Sequence, residues 1–213
     1  MRIMKTIVAI ATIIIASILI GCSNNPPTKQ QNLCAIFEQN PEWYDFAKAS
    51  EAKWGTPIAI MMAFVHQESS FRSKAKPPFK WLWFIPLGRQ SSAKGYAQAQ
   101  DPVWKEYRYE RGGLFKSRGD MEDALDFIGW YNHKSHKRLG ISKTNTREMY
   151  LAYHEGRAGY RRKTYNKKPQ LLKISSKVSN LARQYNGQLS ECEKRFKCRK
   201  WYQMWPFCSK DSG

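Results

Sequence analysis

The chain has 213 residues, enough for one medium domain, and its 14% aromatic content with eight tryptophans excludes a disordered or low-complexity protein. Its formal net charge of +19 points to a polyanionic partner or surface: nucleic acid, anionic lipid headgroups or a carboxylate-rich cell-wall polymer. The aromatic richness also suits a sugar-binding cleft, although aromatic side chains build cores as well.

Residues 1–21, MRIMKTIVAIATIIIASILIG, place Arg2 and Lys5 ahead of an apolar run from Ile7 to Ile20 and a small Gly21. This is the pattern of a secretory signal peptide, and the run is short for a permanent span. LIGC, at 19–22, resembles the lipobox of bacterial lipoproteins. The resemblance implies cleavage before Cys22, lipid on that cysteine, and a protein anchored to a bilayer without spanning it. Loss of the leader, with its two basic and no acidic residues, leaves a charge of +17. Export disfavours nucleic acid as the partner. Residues 22–35, including the polar, proline-bearing SNNPPTKQQN, read as a lipidated tether whose ten-residue core reaches ~30–40 Å when extended. Ser23, which is not aspartate, matches the outer-membrane sorting pattern of such lipoproteins. The expected location is therefore the periplasmic side of a bacterial membrane, the outer one.

The folded domain is expected over 36–190. Asn40-Pro41-Glu42 opens a helix that stops at Gly55, and Thr56-Pro57 opens the next, through IAIMMAFVHQE. KPPFKWLWFIPLGRQSSAKG has three prolines and reads as irregular, with room for a short β-hairpin. Asp101-Pro102 opens a helix through VWKEYRYE. Asp120 caps MEDALDFIGWYNHKSHKR, where Ala124, Ile128 and Tyr131 keep helical spacing. TREMYLAYHEG forms another helix, ending at Gly156. The last is long and basic, with Leu171, Ile174, Val178, Leu181 and Tyr185 on one stripe. Strands are nearly absent, so the fold class is mainly α. The basic clusters at 134–138, 157–163 and 166–169 read as solvated faces.

Residues 191–213 form a cysteine-bearing tail. Cys34, Cys192, Cys198 and Cys208 are an even set in an exported chain, which implies two disulfides. No C-x-x-C pair exists, so zinc is disfavoured. A helix through ECEKRFKC separates Cys192 from Cys198 by ~9 Å of rise, too far for one bridge. Cys34 therefore pairs with Cys192 or Cys198, and Cys208 with the other. Neither metal nor cofactor is expected: His66 sits two residues from Glu68, on another helix face, with no second ligand spaced for it.

Glu68 is the chemically informative residue. Ile58, Met61, Met62 and Val65 make an apolar helix face, and Glu68 continues it at the negative helix end. Both surroundings disfavour the charged carboxylate and raise its pKa. An acid that stays protonated near neutrality can give its proton to a leaving oxygen. Ser69 and Ser70 can bond the carboxyl or end the helix.

ESSF (68–71), GYAQAQ (95–100) and LAYHEG (151–156) together resemble, in order, the three motifs of the soluble-type lytic transglycosylases, over roughly residues 40–186. The resemblance implies a lysozyme-like α fold that cuts the glycan strands of peptidoglycan. It makes Glu68 the catalytic acid/base and Tyr153 the catalytic partner that positions the carboxyl or the substrate's N-acetyl group. Ser69, Gly95, Tyr96, Gln98 and Gly156 become substrate-binding positions. Tyr96-Ala97 stands where the family usually has Leu-Met, and His154-Glu155 where it often has Asn and a small residue. The longer segment 76–94 is either a lid or wall, or a structural hairpin packed on the core. Glu155 is expected to be structural, paired with Arg157 or Arg161. With one carboxyl in the pattern, the implied reaction is a water-independent cleavage leaving a 1,6-anhydro end. A muramidase that uses water and an inactive wall-binding lipoprotein are the rival readings. Expected partners are peptidoglycan, the membrane through its lipid, and envelope machinery.

Overall fold

The computed structural model describes residues 25–83, 85–89, 91–113 and 115–197. The leader, Cys22, Ser23, Cys198 and Cys208 lie outside the described residues. The helices are α1 Leu33–Gln39, α2 Pro41–Trp54, α3 Ile58–Ser69, α4 Asp101–Arg111, α5 Met121–Leu139, α6 Thr146–Arg161, α7 Pro169–Cys192 and α8 Lys194–Lys197. A hairpin of β1 Phe79–Leu82 and β2 Ile85–Arg89 follows α3, and a 3-10 turn at Thr164–Lys167 precedes α7. Among the described residues no helix is long and apolar enough to cross a membrane. The mainly α, lysozyme-like expectation is met, hairpin included.

The core is built around α3. The sequence suggests one apolar face, but every residue from Ile58 to Val65 is buried. A helix apolar on all sides must be enclosed on all sides. α2, α5 and α7 pack round it, and Phe64 meets Tyr150 and Tyr153 of α6 edge-on. Thr56 does not cap the helix. Glu51 of α2 does so instead, its Oε1 accepting the Ile58 N–H at 3.1 Å. α2 and α5 cross closely because residue 129 is glycine: a Cβ there would lie 2.5 Å from the Trp54 ring and 2.6 Å from Ser50 Oγ. Asp126 fastens the same corner by accepting from Lys53, Trp54 and Tyr107, each at 2.7 Å.

Two boundaries differ from expectation. The tether does not extend to residue 35: α1 begins at Leu33, which is fully buried, and Asn32 caps it by accepting from the Ala35 N–H at 3.0 Å. Gln188 of α7 accepts the Leu33 N–H at 2.8 Å, Gln184 and Gln188 donate to the Gln31 carbonyl, and Tyr185 donates to that of Gln30. At the other end the domain continues past 190, since α8 buries Phe196 against Phe37 and Tyr44. A Cys34–Cys192 disulfide, with Cα atoms 6.0 Å apart, locks α1 to the end of α7. Of the two pairings open from the sequence, the structure contains the one with Cys192.

The basic clusters are not uniformly solvated. Lys134 is largely covered and bridges Glu106 and Glu110 of α4 at 2.7 and 2.5 Å. Arg157 lies over the Tyr131 ring, 4.6 Å from its centroid. In the hairpin, Phe79 faces Arg89 and Leu82 faces Ile85 across an antiparallel pair with an irregularity between Phe79 and Trp81. Trp83 at its turn is 90% exposed. The strands form a two-stranded sheet of their own.

Candidate active site

α3 ends where its acid sits. Ser70 adopts left-handed geometry (φ 49°) and returns its N–H to the His66 carbonyl, so the chain turns immediately after Glu68 and Ser69. Glu68 keeps partial exposure, yet its carboxyl lies deep among protein atoms. Desolvation pushes its pKa up to about 7, against a smaller downward pull from a Tyr150 hydrogen bond. That bond runs from the Tyr150 hydroxyl to Glu68 Oε1 at 2.9 Å. Among the described residues, no second carboxylate contributes to the titration of Glu68.

The hydroxyl on the acid is thus Tyr150, which sequence reasoning missed. Its only signal is that it lies three residues before Tyr153, on the same helix face, outside the motif. Tyr153, expected to position the carboxyl, instead donates to the Ala97 carbonyl at 2.6 Å. Its ring packs on Phe64 and Tyr131, and it lines a cavity together with Gln98, Phe127, His154, Glu155 and Gly156. Tyr153 therefore ties α6 to the middle motif beside Glu68, close enough for the carboxylate to help raise its own pKa, burial being the main cause.

The middle motif is a tight loop. The Gly95 N–H donates to the Ala75 carbonyl at 2.9 Å, and the Tyr96 N–H to that of Arg118 at 3.1 Å. Gly95 has φ 77°, and a Cβ there would stand 1.8 Å from the Arg118 carbonyl oxygen. A side chain at 95 thus meets both backbone strain and a backbone collision. Gly95→Ala should cost at least ~2 kcal/mol and displace the loop, read as a lower denaturation midpoint with loss of activity. Arg118 holds the same loop, donating to the carbonyls of Ser92 and Ala99 and pairing with Asp101 at 2.6 Å. Gln98 spends its amide N–H groups on the carbonyls of Ala75 (3.0 Å) and Gly95 (2.8 Å). Its carbonyl oxygen is the polar atom left to the cavity it lines.

Two expected substrate positions are core instead. Tyr96 is 3% exposed and packs edge-on against Trp43. Ser69 is buried, with its hydroxyl donating back to the Val65 carbonyl at 3.0 Å. A motif fixes which residues are near the acid, not which way they face. Gly156 does border the cavity. Its φ of 72° breaks α6 there and turns the chain towards Arg157. Glu155 is structural, but its partners are Lys168 at 2.8 Å, the Thr164 hydroxyl and His154, not Arg157 or Arg161. Desolvation would raise its pKa; these bonds outweigh it and hold the carboxylate below its usual range. Among the described residues no three His, Cys, Asp or Glu side chains converge as a metal would require.

The arrangement supplies one shielded acid, held by Tyr150 and near enough to Tyr153 to act on it, while Tyr153 lines a cavity with Gln98, Phe127 and Tyr131. Comparison with curated proteins gives no match. A family model described as "Transglycosylase SLT domain" matches residues 10–192, most of the chain. The three motifs, the helical architecture around α3 and this match agree: the chain belongs to the transglycosylase SLT domain family, which carries lytic-transglycosylase-type cleavage of peptidoglycan.

Proposed function

We propose that the protein is a lipid-anchored murein lytic transglycosylase that uses Glu68 as its sole acid and base. The observation that carries this reading is the Glu68 carboxyl, desolvated to a pKa of about 7 and held by one hydroxyl. Protonated Glu68 donates to the glycosidic oxygen between N-acetylmuramic acid and N-acetylglucosamine, and the C–O bond breaks. The substrate's own N-acetyl group stabilises the developing oxocarbenium. Glu68, now a carboxylate, takes the proton of the muramic acid 6-hydroxyl as that oxygen attacks the anomeric carbon. The product is a 1,6-anhydro end, and Glu68 is protonated again. A pKa near the working pH lets one group serve both steps.

An ordinary glycoside hydrolase uses a second carboxylate, as nucleophile or to activate water. Glu155 borders the cavity but is already engaged by Lys168, Thr164 and His154. Digestion of purified sacculi followed by mass analysis separates the readings. Anhydro ends support the transglycosylase, while reducing ends, one water heavier, identify a muramidase. A wall-binding protein without activity would release neither. In this proposal Cys22 carries the lipid and the domain works from the periplasmic face of the outer membrane, within tether reach of the wall and of envelope machinery.

Tyr150 gives a pH test. Its hydrogen bond pulls the Glu68 pKa down, so Tyr150→Phe should raise it further. The alkaline limb of the pH–rate profile should move upward, with turnover reduced roughly tenfold by loss of one charge-assisted bond. An unmoved limb would show that Tyr150 does not act on the acid.

A further inference from the structure

His154 stands on the same face of α6 as Tyr150, four residues on, with the two ring centroids 6.4 Å apart. Tyr150 in turn touches Glu68, so the imidazole lies one ring away from the acid. It also lines the cavity with Gln98, Tyr153 and Gly156, and its side chain is 46% exposed. Its Nδ1 lies 3.2 Å from Glu155 Oε1. Glu155 has a side chain only 4% exposed and is also held by Lys168 and Thr164. An ionised carboxylate can only accept, so Nδ1 carries a proton. In the neutral imidazole the lone pair is then on Nε2, which has no hydrogen-bond partner among the described residues. The cavity therefore offers acceptors: this nitrogen, and the Gln98 carbonyl oxygen, whose amide N–H groups are already used. A saccharide presents hydroxyl and acetamido N–H donors that match them.

We infer that His154, held in one tautomer and orientation by Glu155, is a substrate-binding residue whose Nε2 accepts a hydrogen bond from a hydroxyl or acetamido N–H of the bound glycan. The inference rests on the proposed reading of the cleft as the glycan site, and it gives the His-Glu departure from the family motif a function. The carboxylate behind the imidazole acts as the orienting group, as a carboxylate does behind histidine in other polar sites.

The test is binding of chitotetraose to the full chain carrying Glu68→Gln, at pH 8, by calorimetry. Adding His154→Ala should weaken binding about tenfold, the scale of one hydrogen bond. His154→Asn, which restores an acceptor oxygen, should stay within about threefold of the parent. ¹⁵N spectra of the parent should show the proton on Nδ1. Both variants change an exposed residue, and unchanged melting temperatures confirm that they fold. Equal affinity in the alanine variant overturns the proposal, as does an equal loss in the alanine and asparagine variants, because an acceptor would then not be what matters. No binding by any form overturns it together with the cleft reading. If Glu68 is not the acid, the Glu68→Gln chain will still digest sacculi, and the two histidine comparisons stay readable because they require no turnover.

Discussion

Glu68→Gln removes turnover, by at least about a thousandfold, while making the protein more stable above neutral pH. The first effect follows from the chemistry, because an amide has no proton to give the leaving oxygen, and general acid–base catalysis supplies ~10²–10⁴ in rate for a single group serving one step. The shape of the site is kept, since the glutamine carbonyl can still accept from Tyr150 in place of Oε1. The second effect follows from linkage. Burial raises the folded-state pKa of Glu68 from 4.5 to about 7. Between those values the unfolded chain has released the proton and the folded chain has not. Stability therefore falls as pH rises from about 4.5 to about 7 and stays low above it, by about 3 kcal/mol in all. Glutamine is neutral throughout and escapes that cost. Denaturant unfolding should find the variant more stable at pH 8 and nearly equal to the parent at pH 4.5. A catalytic group that destabilises its own fold shows the usual trade between activity and stability. A surface glutamate would show neither effect.

The second large effect concerns the Cys34–Cys192 bridge. It joins residues 158 apart in sequence, so its loss frees almost the whole described domain in the unfolded state. Chain entropy gives an upper figure of about 5 kcal/mol for a loop of that size. Removing both cysteines, as Cys34→Ser with Cys192→Ser, leaves no unpaired thiol at either position. The expected cost is ~3–5 kcal/mol, or roughly 6–20 °C in melting temperature for a domain of this size. The contacts beside the bridge, from Gln184, Tyr185 and Gln188 to residues 30–33, lose their restraint together. Amide exchange should therefore rise first in α1 and the last turns of α7. A melting temperature unchanged in the double variant would mean that those hydrogen bonds alone hold the terminus.

What the sequence makes legible here is local. An apolar stretch running into Glu68, a capping Asp120 and a glycine stop at 55 all leave marks within a few residues. So does the resemblance of three short motifs. What it hides depends on direction or distance. Tyr150 and Tyr153 lie on one helix face, and only packing decides that the first reaches Glu68 while the second reaches Ala97. Ser69 and Tyr96 lie inside motifs, but one bonds its own helix and the other fills the core against Trp43. The short helix α1 follows a polar, proline-bearing stretch, and its stability comes from α7, some 155 residues away. The same distance hides the choice between Cys192 and Cys198. Lys134 and Arg157 belong to charge runs that look solvated, and only the fold brings Glu106 to both and the Tyr131 ring to Arg157.

The proposed catalysis depends on a single shielded carboxyl held where the proton is transferred. Carbon-detected NMR titration of Glu68, assigned by comparison with Glu68→Gln, measures it directly. The expected midpoint is near pH 7, moving higher in Tyr150→Phe. A midpoint near 4.5, as for a glutamate in water, would contradict it.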